Sequence, residues 1–333
     1  MKFGIIELPR SVAGAVANAR LAEAAGFDLV GVADSQSVFR EVYVTAAMIL
    51  SQTSRVRVGP TVTNPITRHP AVAASAIATL NEIGNGRCLF GMGSGDSAIL
   101  NLGEKPFNLA GMRAAVETMQ TLLRGEHAEW RGRDVHTQWV PRPVPVYIAA
   151  EGPKTLELAG EVADGVICGL GLEPENVTLC LEHLQRGAER AGRSLRDLDI
   201  WAMARVNVGH DRDALIRDIR MELASTAHHA FRFTLAGKQV PPAFHDAIRR
   251  VQQGYQPHQH EAHGESPNAR LIADPEFLEY MVQRFAILGT PQECAAQIRR
   301  IGAAGIPNIL FTGFVEARQA LIRTLGDSVF PLV

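Results

Sequence analysis

Residues 59–98 read GPTVTNPITRHPAVAASAIATLNEIGNGRCLFGMGSGDSA, and this stretch decides the fold. It begins in an apolar β-rich run, passes through a proline-containing loop and enters an alanine-rich helical segment at residues 71–83. A second β-rich run follows at residues 88–93 and ends in a glycine-rich loop. Strand, helix and strand in this order are typical of a parallel βαβ unit, in which the crossover helix covers the sheet.

The same alternation extends to both sides of this stretch. Strands are predicted at residues 3–8, 28–33, 56–63, 88–93, 144–150, 165–169, 198–208 and 308–312. Helical segments separate them, and Thr290-Pro-Gln-Glu293 predicts a capping box at the start of one late helix. Strands that are apolar on both faces belong in a parallel sheet covered by helices. Eight such units predict an α/β fold, a single (β/α)8 TIM-barrel domain over residues 1–333, rather than an open doubly wound sheet.

Residues 230–288 interrupt the pattern with prolines, glycines and several histidines. A typical barrel needs only about 250 residues, so this segment is predicted to be an insertion between strands seven and eight. The spacing of His258, His260 and His263 can bind a metal ion, but no helix or strand pair presents these residues together. The favoured interpretation is a lid over the pocket, and no metal site is predicted.

The composition excludes several classes of function. The chain has 33 basic and 35 acidic residues, which gives no electrostatic reason to expect nucleic acid or an anionic membrane as a partner. Its cysteines lie far apart, without the spacing of a disulfide framework or a thiolate zinc site. The start, MKFGIIELPR, has no signal-peptide architecture, and no run of eighteen apolar residues occurs. We therefore expect a cytoplasmic protein.

In a barrel of this kind the loops that follow the strands form the active face. The candidates for catalysis in these loops are Asp34, Ser35, Asp96 and His69. The glycines of residues 91–95 let the backbone approach a planar or anionic ligand. Gly152 and Pro153 begin a helix whose free amides suit a phosphate, with Lys154 or Thr155 beside it. A purely structural interpretation stays open for each segment, because Asp and Ser often cap helices and a glycine–proline pair often begins one.

Taken together, these segments resemble the luciferase-like monooxygenase superfamily, most closely its branch of F420-dependent reductases typified by methylenetetrahydromethanopterin reductase. The matching runs are residues 59–98 and VYIAAEGPKTLELAGEVADGVI at residues 146–167. The resemblance implies an isoalloxazine or deazaflavin ring across the mouth of the barrel, with Asp34 near it and a cis peptide bond between Thr61 and Val62 behind it. The cofactor-binding residues that it implies, together with the neighbouring loop residues, are Thr61, Val62, Thr63, Asn64, Gly93, Ser94, Gly95, Asp96, Glu151, Gly152, Pro153, Lys154, Thr155 and Gly169.

One position departs from the family pattern. Several members carry a histidine directly after the strand-two aspartate, where it serves as the acid or base, and this chain has Ser35 there. Serine is a poor acid or base at neutral pH. Proton transfer would then fall to Asp96, Asp34, a lid histidine, His69 or water.

These features predict an enzyme, a flavin-dependent oxidoreductase acting on a small organic substrate. The first interpretation is a monooxygenase that uses reduced FMN supplied by a separate flavin reductase. The alternatives are an F420-dependent hydride-transfer reductase or dehydrogenase, and a flavin-binding protein without turnover. A phosphosugar lyase or isomerase on the same fold would need a Schiff-base lysine or a paired acid and base at the strand ends. This interpretation is disfavoured, because the one lysine predicted at a strand end is Lys154, which is better suited to binding a phosphate. Relatives commonly pair through helices two and three, so we expect a homodimer or a higher homo-oligomer.

Overall fold

The computed structural model describes residues 1–260, 262, 264 and 266–333. The strands within them are β1 (Lys2–Glu7), β2 (Leu29–Val32), β3 (Arg57–Pro60), β4 (Phe90–Met92), β5 (Ala128–Trp130), β6 (Arg133–Val135), β7 (Val146–Ala150), β8 (Gly165–Cys168), β9 (Asp199–Val208), β10 (Ala286–Gly289) and β11 (Asn308–Phe311). The helices are α1 (Val12–Ala24), α2 (Val42–Gln52), α3 (Pro70–Ile83), α4 (Ser97–Leu100), α5 (Leu109–Leu123), α6 (Pro153–Val162), α7 (Pro174–Arg190), α8 (Arg212–Ala230), α9 (His245–Gly254), α10 (Pro267–Arg270), α11 (Pro275–Phe285), α12 (Pro291–Ala303) and α13 (Arg318–Thr324).

Eight parallel strands form the barrel, in the order β3-β2-β1-β11-β9-β8-β7-β4. Its two end strands meet through isolated parallel bridges, Val58 with Cys88 and Thr63 with Met92. Each successive pair along the chain is joined through a helix, which packs on the outside of the sheet. The predicted (β/α)8 barrel is confirmed.

Successive side chains of each strand point to opposite faces of the sheet, one toward the inside of the barrel and the next toward the surrounding helices. Ile5 and Val30 belong to the core between the barrel and its helices. Their neighbours Ile6 and Leu29 belong to a second apolar cluster, together with the fully buried Trp201. This second cluster fills the inside of the barrel, so that ligands are confined to its open end.

Strand β9 is longer than its neighbours and pairs with different strands along its length. Its first half, from Trp201 to Ala204, pairs with β11, and its second half, from Arg205 to Val208, pairs with β10. The short apolar strand β10 lies inside the segment that the sequence assigned to the insertion, and it was not predicted. Residues 231–285 contain α9, α10 and α11, and they lie between β9 and β10 in the chain.

Helix α6, whose first turn follows β7, is held in place by direct backbone contact with α7. A Cβ atom added at Gly187 would lie 1.9 Å from the carbonyl oxygen of Glu157, and one added at Gly160 would lie 2.2 Å from that of Leu184. Only glycine permits this approach at either position. The close packing fixes the direction in which the amino-terminal end of α6 points.

Two further differences from the sequence prediction are local. Strands β5 and β6 form a small antiparallel hairpin outside the barrel, where no strand was predicted. Helix α8 continues to Ala230, the first residue of the predicted insertion, because the alanine-rich run after Glu222 extends its buried face. None of the helices in the described part of the chain combines the length and the apolar character that a membrane span needs.

Candidate active site

A cavity of about 220 Å³ lies at the carboxyl end of the barrel strands. Apolar side chains from several strands line its inner part, among them Ile6, Leu8, Val62, Ile167 and Met203. Polar side chains from the loops surround them. This combination of an apolar surface with a few polar groups is the usual character of a small-molecule site.

Most of the predicted site residues meet in this cavity. Those that line it are Asp34, Ser35, Thr61, Val62, Thr63, Asn64, Gly93, Ser94, Gly95, Asp96 and Glu151. Those outside its lining are His69, Gly152, Pro153, Lys154, Thr155 and Gly169. The loops after barrel strands two to five therefore converge, as their positions at strand ends predicted.

Asp34 is held by a buried ion pair. Its Oδ2 accepts hydrogen bonds from Thr63 Oγ1 and from Arg68 Nη1, each at 2.6 Å. Arg68 also pairs with Glu41 at 2.8 Å and lies over the ring of Tyr43. Because the Asp34 side chain is only 2% exposed, this pairing offsets the cost of burying its charge. Asp34 is therefore a fixed carboxylate that can accept a hydrogen bond from a ligand.

The wall behind the cavity contains the expected cis peptide bond between Thr61 and Val62. Strand β4 passes directly beside it, and Thr63 exchanges backbone hydrogen bonds of 2.9 Å with Gly91 and Gly93. A Cβ atom at Gly91 would lie 2.7 Å from the carbonyl oxygen of Pro60. Gly91 within β4 thus serves the close approach of two strands, and Gly93 after it lines the cavity without a side chain.

Ser35 directly follows Asp34 and contacts another serine. The Oγ atoms of Ser35 and Ser97 lie 2.9 Å apart, and both side chains are buried. Two hydroxyls can orient a ligand oxygen by hydrogen bonding, but neither is an effective acid or base at neutral pH. The acid or base must be sought among the other polar groups of the cavity.

Asp96 lies at the centre of a cluster of basic side chains. Its Oδ1 accepts a hydrogen bond from Arg232 Nη1 at 2.9 Å and lies 3.6 Å from His228 Nε2, while its Oδ2 lies 3.3 Å from His229 Nε2. Burial opposes its ionisation, but His229, His228, His260 and Arg232 outweigh this and hold the pKa of Asp96 well below its usual range. Asp96 is therefore ionised and is not a proton donor near neutral pH.

Glu151 has the opposite character. Burial raises its pKa, and the positive charges of Arg232, Lys238 and Arg205 offset this only in part. Its side chain extends across Gly169 at the end of the next strand, where an added Cβ would lie 2.8 Å from Glu151 Cγ. Gly169 therefore makes room for Glu151 and does not itself line the cavity. A cavity carboxyl group with a raised pKa is suited to giving and taking a proton.

The amino-terminal end of α6 points toward the same region. Gly152 is its N-cap and provides no side chain to cap the first amides. Lys238 is buried, and a Cβ atom at Gly152 would lie 3.8 Å from its Nζ. Lys154, predicted to aid a phosphate here, is exposed. The lack of a side-chain cap, the helix dipole and Lys238 together favour an anionic group at this place.

His69 has a structural position. It is exposed, and its Nδ1 accepts a hydrogen bond from the backbone amide of Ala71 at 3.2 Å. His69 is thus the N-cap of α3, and the structure does not bring this candidate for catalysis to the cavity.

The residues that sequence reasoning missed come mainly from α8 and the segment after it. Of the three spaced histidines, His260 lines the cavity, His258 is exposed, and His263 lies outside the described residues. The missed residues, which line the cavity or act on its carboxylates, are Arg68, Arg205, His229, Arg232 and Lys238. Of these residues, only Arg68 lies in a loop that the sequence analysis had assigned to the site. Its positive charge was therefore the one feature of the sequence that could have indicated a partner for Asp34.

Comparisons with known proteins show which family the chain matches. A family model described as luciferase-like monooxygenase matches residues 1–307. The 5,10-methylenetetrahydromethanopterin reductase of Methanolobus tindarius is 31% identical over 353 aligned positions, which cover 99% of this chain and 99% of that protein. The F420-dependent glucose-6-phosphate dehydrogenase of Beutenbergia cavernae is 38% identical over 218 positions, or 58% of this chain and 63% of that protein.

The structure of the coenzyme F420 dependent tetrahydromethanopterin reductase from Methanopyrus kandleri is similar over almost the whole length. Its TM-score is 0.79 at 25% identity, with 99% of this chain and 98% of that chain covered. The expected likeness to the reductase branch is therefore confirmed. The chain belongs to the luciferase-like monooxygenase family, a class of flavin- and deazaflavin-dependent oxidoreductases.

Proposed function

We propose that the protein is an F420-dependent oxidoreductase that transfers a hydride between the deazaflavin and a small organic substrate. The relatives named above that specify a cofactor specify F420, which supports this alternative over the FMN-dependent monooxygenase that the sequence favoured. The observation that carries the proposal is the convergence, around one cavity, of the Asp34, Thr63, Asp96 and Glu151 loops beside the uncapped start of α6.

The residues present fit such a cofactor. A flat ring would lie against the surface formed by the Thr61–Val62 peptide and Gly93, where side chains are small or absent. A phosphate would lie at the first turn of α6, where no side chain caps the amides and the Lys238 ammonium is close. Bound F420 would supply the hydride chemistry.

The chain's own residues supply the other needs of the reaction. Asp34, fixed by Thr63 and Arg68, orients a hydrogen-bonding group of the ligand. Ser35 and Ser97 orient a substrate oxygen or nitrogen. Glu151 holds the proton that must accompany a hydride when a double bond is reduced, and it takes a proton back in the reverse direction. The apolar wall excludes water from the reacting atoms.

A titration of the purified protein with F420 and, separately, with FMN tests the cofactor. We expect fluorescence changes that report F420 binding at least tenfold tighter than FMN binding. A preference for FMN, with oxygen uptake when reduced FMN and substrate are added, would restore the monooxygenase and its partner flavin reductase. Binding of F420 without hydride transfer to any carbonyl, imine or alcohol substrate would leave a binding protein without turnover.

Lys238 gives this cofactor site a definite pH dependence. Burial lowers the pKa of Lys238 to about 8, although Glu151 acts in the opposite direction. The ammonium form, which attracts phosphate, is present below this pKa and is lost as the pH rises through it. The F420 dissociation constant should therefore increase by up to about tenfold per pH unit above the pKa of Lys238 in the free protein.

The matched variants for this prediction are Lys238→Met and Lys154→Met. A charged hydrogen bond contributes about 1.5–3 kcal/mol, so we expect Lys238→Met to bind F420 about 10- to 100-fold more weakly at pH 7 and to lose the alkaline pH dependence. Lys154 is exposed, and its replacement should change the affinity by less than about threefold. Circular dichroism should first show that both variants are folded. Equal effects of the two substitutions would contradict the role of Lys238.

We also propose a homodimer formed through α2 and α3. Val44 and Met48 are one turn apart on α2 and are 60% and 45% exposed, while Val72 and Ile83 on α3 are 60% and 48% exposed. Exposed apolar side chains on two helices that contact each other are typical of an interface. Light scattering should give a dimer for the native chain and a monomer for Val72→Glu, with the dimer retained in Leu102→Glu, where an equally exposed residue lies elsewhere (56% exposed). A monomeric native chain at micromolar concentration would overturn this proposal.

A further inference from the structure

We infer that Asp96, His229 and His260 form a binding site for a divalent transition-metal ion of the zinc type, open toward the cavity. One ligand atom from each residue lies within 4.8 Å of the others. All three side chains also line the cavity. The site is assembled from the loop after β4, the last turn of α8 and the segment after α9, so no local sequence spacing announces it.

The distances suit metal coordination. Zinc bonds to nitrogen and oxygen are about 2.0–2.1 Å long, which places neighbouring ligand atoms of a tetrahedral site about 3.3–3.4 Å apart. Asp96 Oδ2 and His229 Nε2 already lie 3.3 Å apart. Yet Asp96 Oδ2 is buried and makes no hydrogen bond to any residue that the structure describes. A buried carboxylate oxygen that faces an imidazole without a hydrogen bond is explained by a cation between them.

The chemical types of the donors also suit a metal. A neutral imidazole with an available lone pair is the form that binds metal ions. The ionised Asp96 adds the negative charge that the set of donors needs.

Neighbouring groups hold two of the three ligands in place. Arg232 donates to Oδ1 of Asp96 at 2.9 Å, on the oxygen opposite to the one that faces His229. The Tyr255 hydroxyl lies 2.6 Å from Nδ1 of His260 and fixes the orientation of that ring. Partners of this kind orient metal ligands and tune their affinity.

The donor set indicates what the ion could do. Two imidazoles and one carboxylate with an open position are typical of zinc sites that bind water or a substrate oxygen, whereas closed sites with four protein ligands are structural. The open position here faces the cavity. A bound ion would therefore coordinate an oxygen of the substrate and help to orient it, a role beyond that of the cofactor-binding residues.

A second cluster in the chain serves as an internal control. His127, Asp134 and His136 also lie within reach of a common ion, but on the exposed hairpin β5–β6. Nδ1 of His127 lies 2.9 Å from Asp134, and both side chains are more than 60% exposed. Metal binding there would be of the weak kind that surface histidines show.

The test is a Co²⁺ titration of the tag-free, EDTA-treated full chain without F420. Visible absorption reports coordination, metal analysis gives the stoichiometry, and Zn²⁺ competes for the site. We expect one Co²⁺ per chain, affinity reduced by at least about 100-fold in His229→Gln and in His260→Gln, and by about tenfold in Tyr255→Phe. The control His136→Gln should bind as the native chain does.

The opposite pattern would overturn the inference. Absence of Co²⁺ binding by the folded native chain would do so, and so would binding that His136→Gln removes while both cavity variants keep it. Circular dichroism and thermal unfolding establish that each variant is folded. Tyr255→Phe alters no ligand, so it keeps the test decisive if a histidine variant fails to fold.

Discussion

Replacing Glu151 by glutamine should lower kcat for hydride transfer by about 100- to 10,000-fold, the range expected for the loss of a general acid or base. Glutamine keeps the shape and the packing over Gly169 but cannot release or accept the proton. The affinity for F420 should change by less than about threefold if the site keeps its geometry. Stopped-flow measurement of deazaflavin absorbance gives kcat, and fluorescence titration gives the dissociation constant.

The pH profile distinguishes a proton donor from a merely structural residue. Glu151 must be protonated to assist reduction, so the rate of substrate reduction should fall as the pH rises through its raised pKa. The rate of substrate oxidation should instead increase as the pH rises through this pKa, because the carboxylate then acts as the base. In Glu151→Gln both pH dependences, that of the reduction rate and that of the oxidation rate, should disappear. Glu182→Gln, at an exposed position of α7, should leave both the rate and the profile unchanged.

Stability should respond in the opposite direction to activity. Because the folded state holds the Glu151 proton more tightly than the unfolded state, the contribution of this group to stability is full below the unfolded pKa and is lost as the pH rises through the folded pKa. Glu151→Gln removes this loss. It should therefore be more stable than the native chain at pH 8 and similar to it at pH 4. Reduced stability at pH 8 would indicate a structural role instead.

The second large effect is expected at Arg68. Arg68→Met leaves the buried Asp34 carboxylate without its ion-pair partner, and breaking a buried pair in this way costs about 3–5 kcal/mol of unfolding free energy. Denaturant unfolding measures the loss. The double variant Asp34→Asn with Arg68→Met should recover part of it, because no buried charge is then left unpaired.

A surface ion pair provides the comparison. Arg249 and Asp246 are 65% and 75% exposed, and exposed pairs contribute about 0–1 kcal/mol. Arg249→Met should therefore unfold at nearly the native denaturant concentration. If Arg68→Met behaves like Arg249→Met, Asp34 is not held by this pair, and its proposed role in orienting the ligand loses its basis.

The barrel itself could be predicted from the sequence because each of its units is local. An apolar run, a turn and an amphipathic helix repeat within about thirty residues, so eight repetitions left few other folds. Strand β10 escaped because four apolar residues, Ala286–Gly289, follow α11 directly and lie in a segment rich in turn residues. Hairpin β5–β6 escaped because each of its strands has only three residues, too few to show the alternation of a half-buried strand.

The site residues also differ in whether local sequence could predict them. Asp34, Thr63, Asp96 and Glu151 follow barrel strands directly, so strand order alone brings them together. The groups that set their charge come from far along the chain: Arg232 contacts Asp96 across 136 residues of sequence. No periodicity or spacing encodes such a contact, because it depends on how α8 crosses the mouth of the barrel. The cofactor preference had the same limit, since ring-facing loops alone do not distinguish FMN from F420.

The pairing of β9 with β11 in its first half and with β10 in its second half has a practical consequence for redesign. Residues 231–274 are bounded by α8, which follows β9, and by α11, which leads into β10, and both strands share one ladder of hydrogen bonds. This segment can therefore be exchanged with that of a relative while its two attachment points keep their register. We expect such a chimaera to fold and to differ from the native chain in substrate binding, because this segment supplies Arg232 and His260 of the cavity.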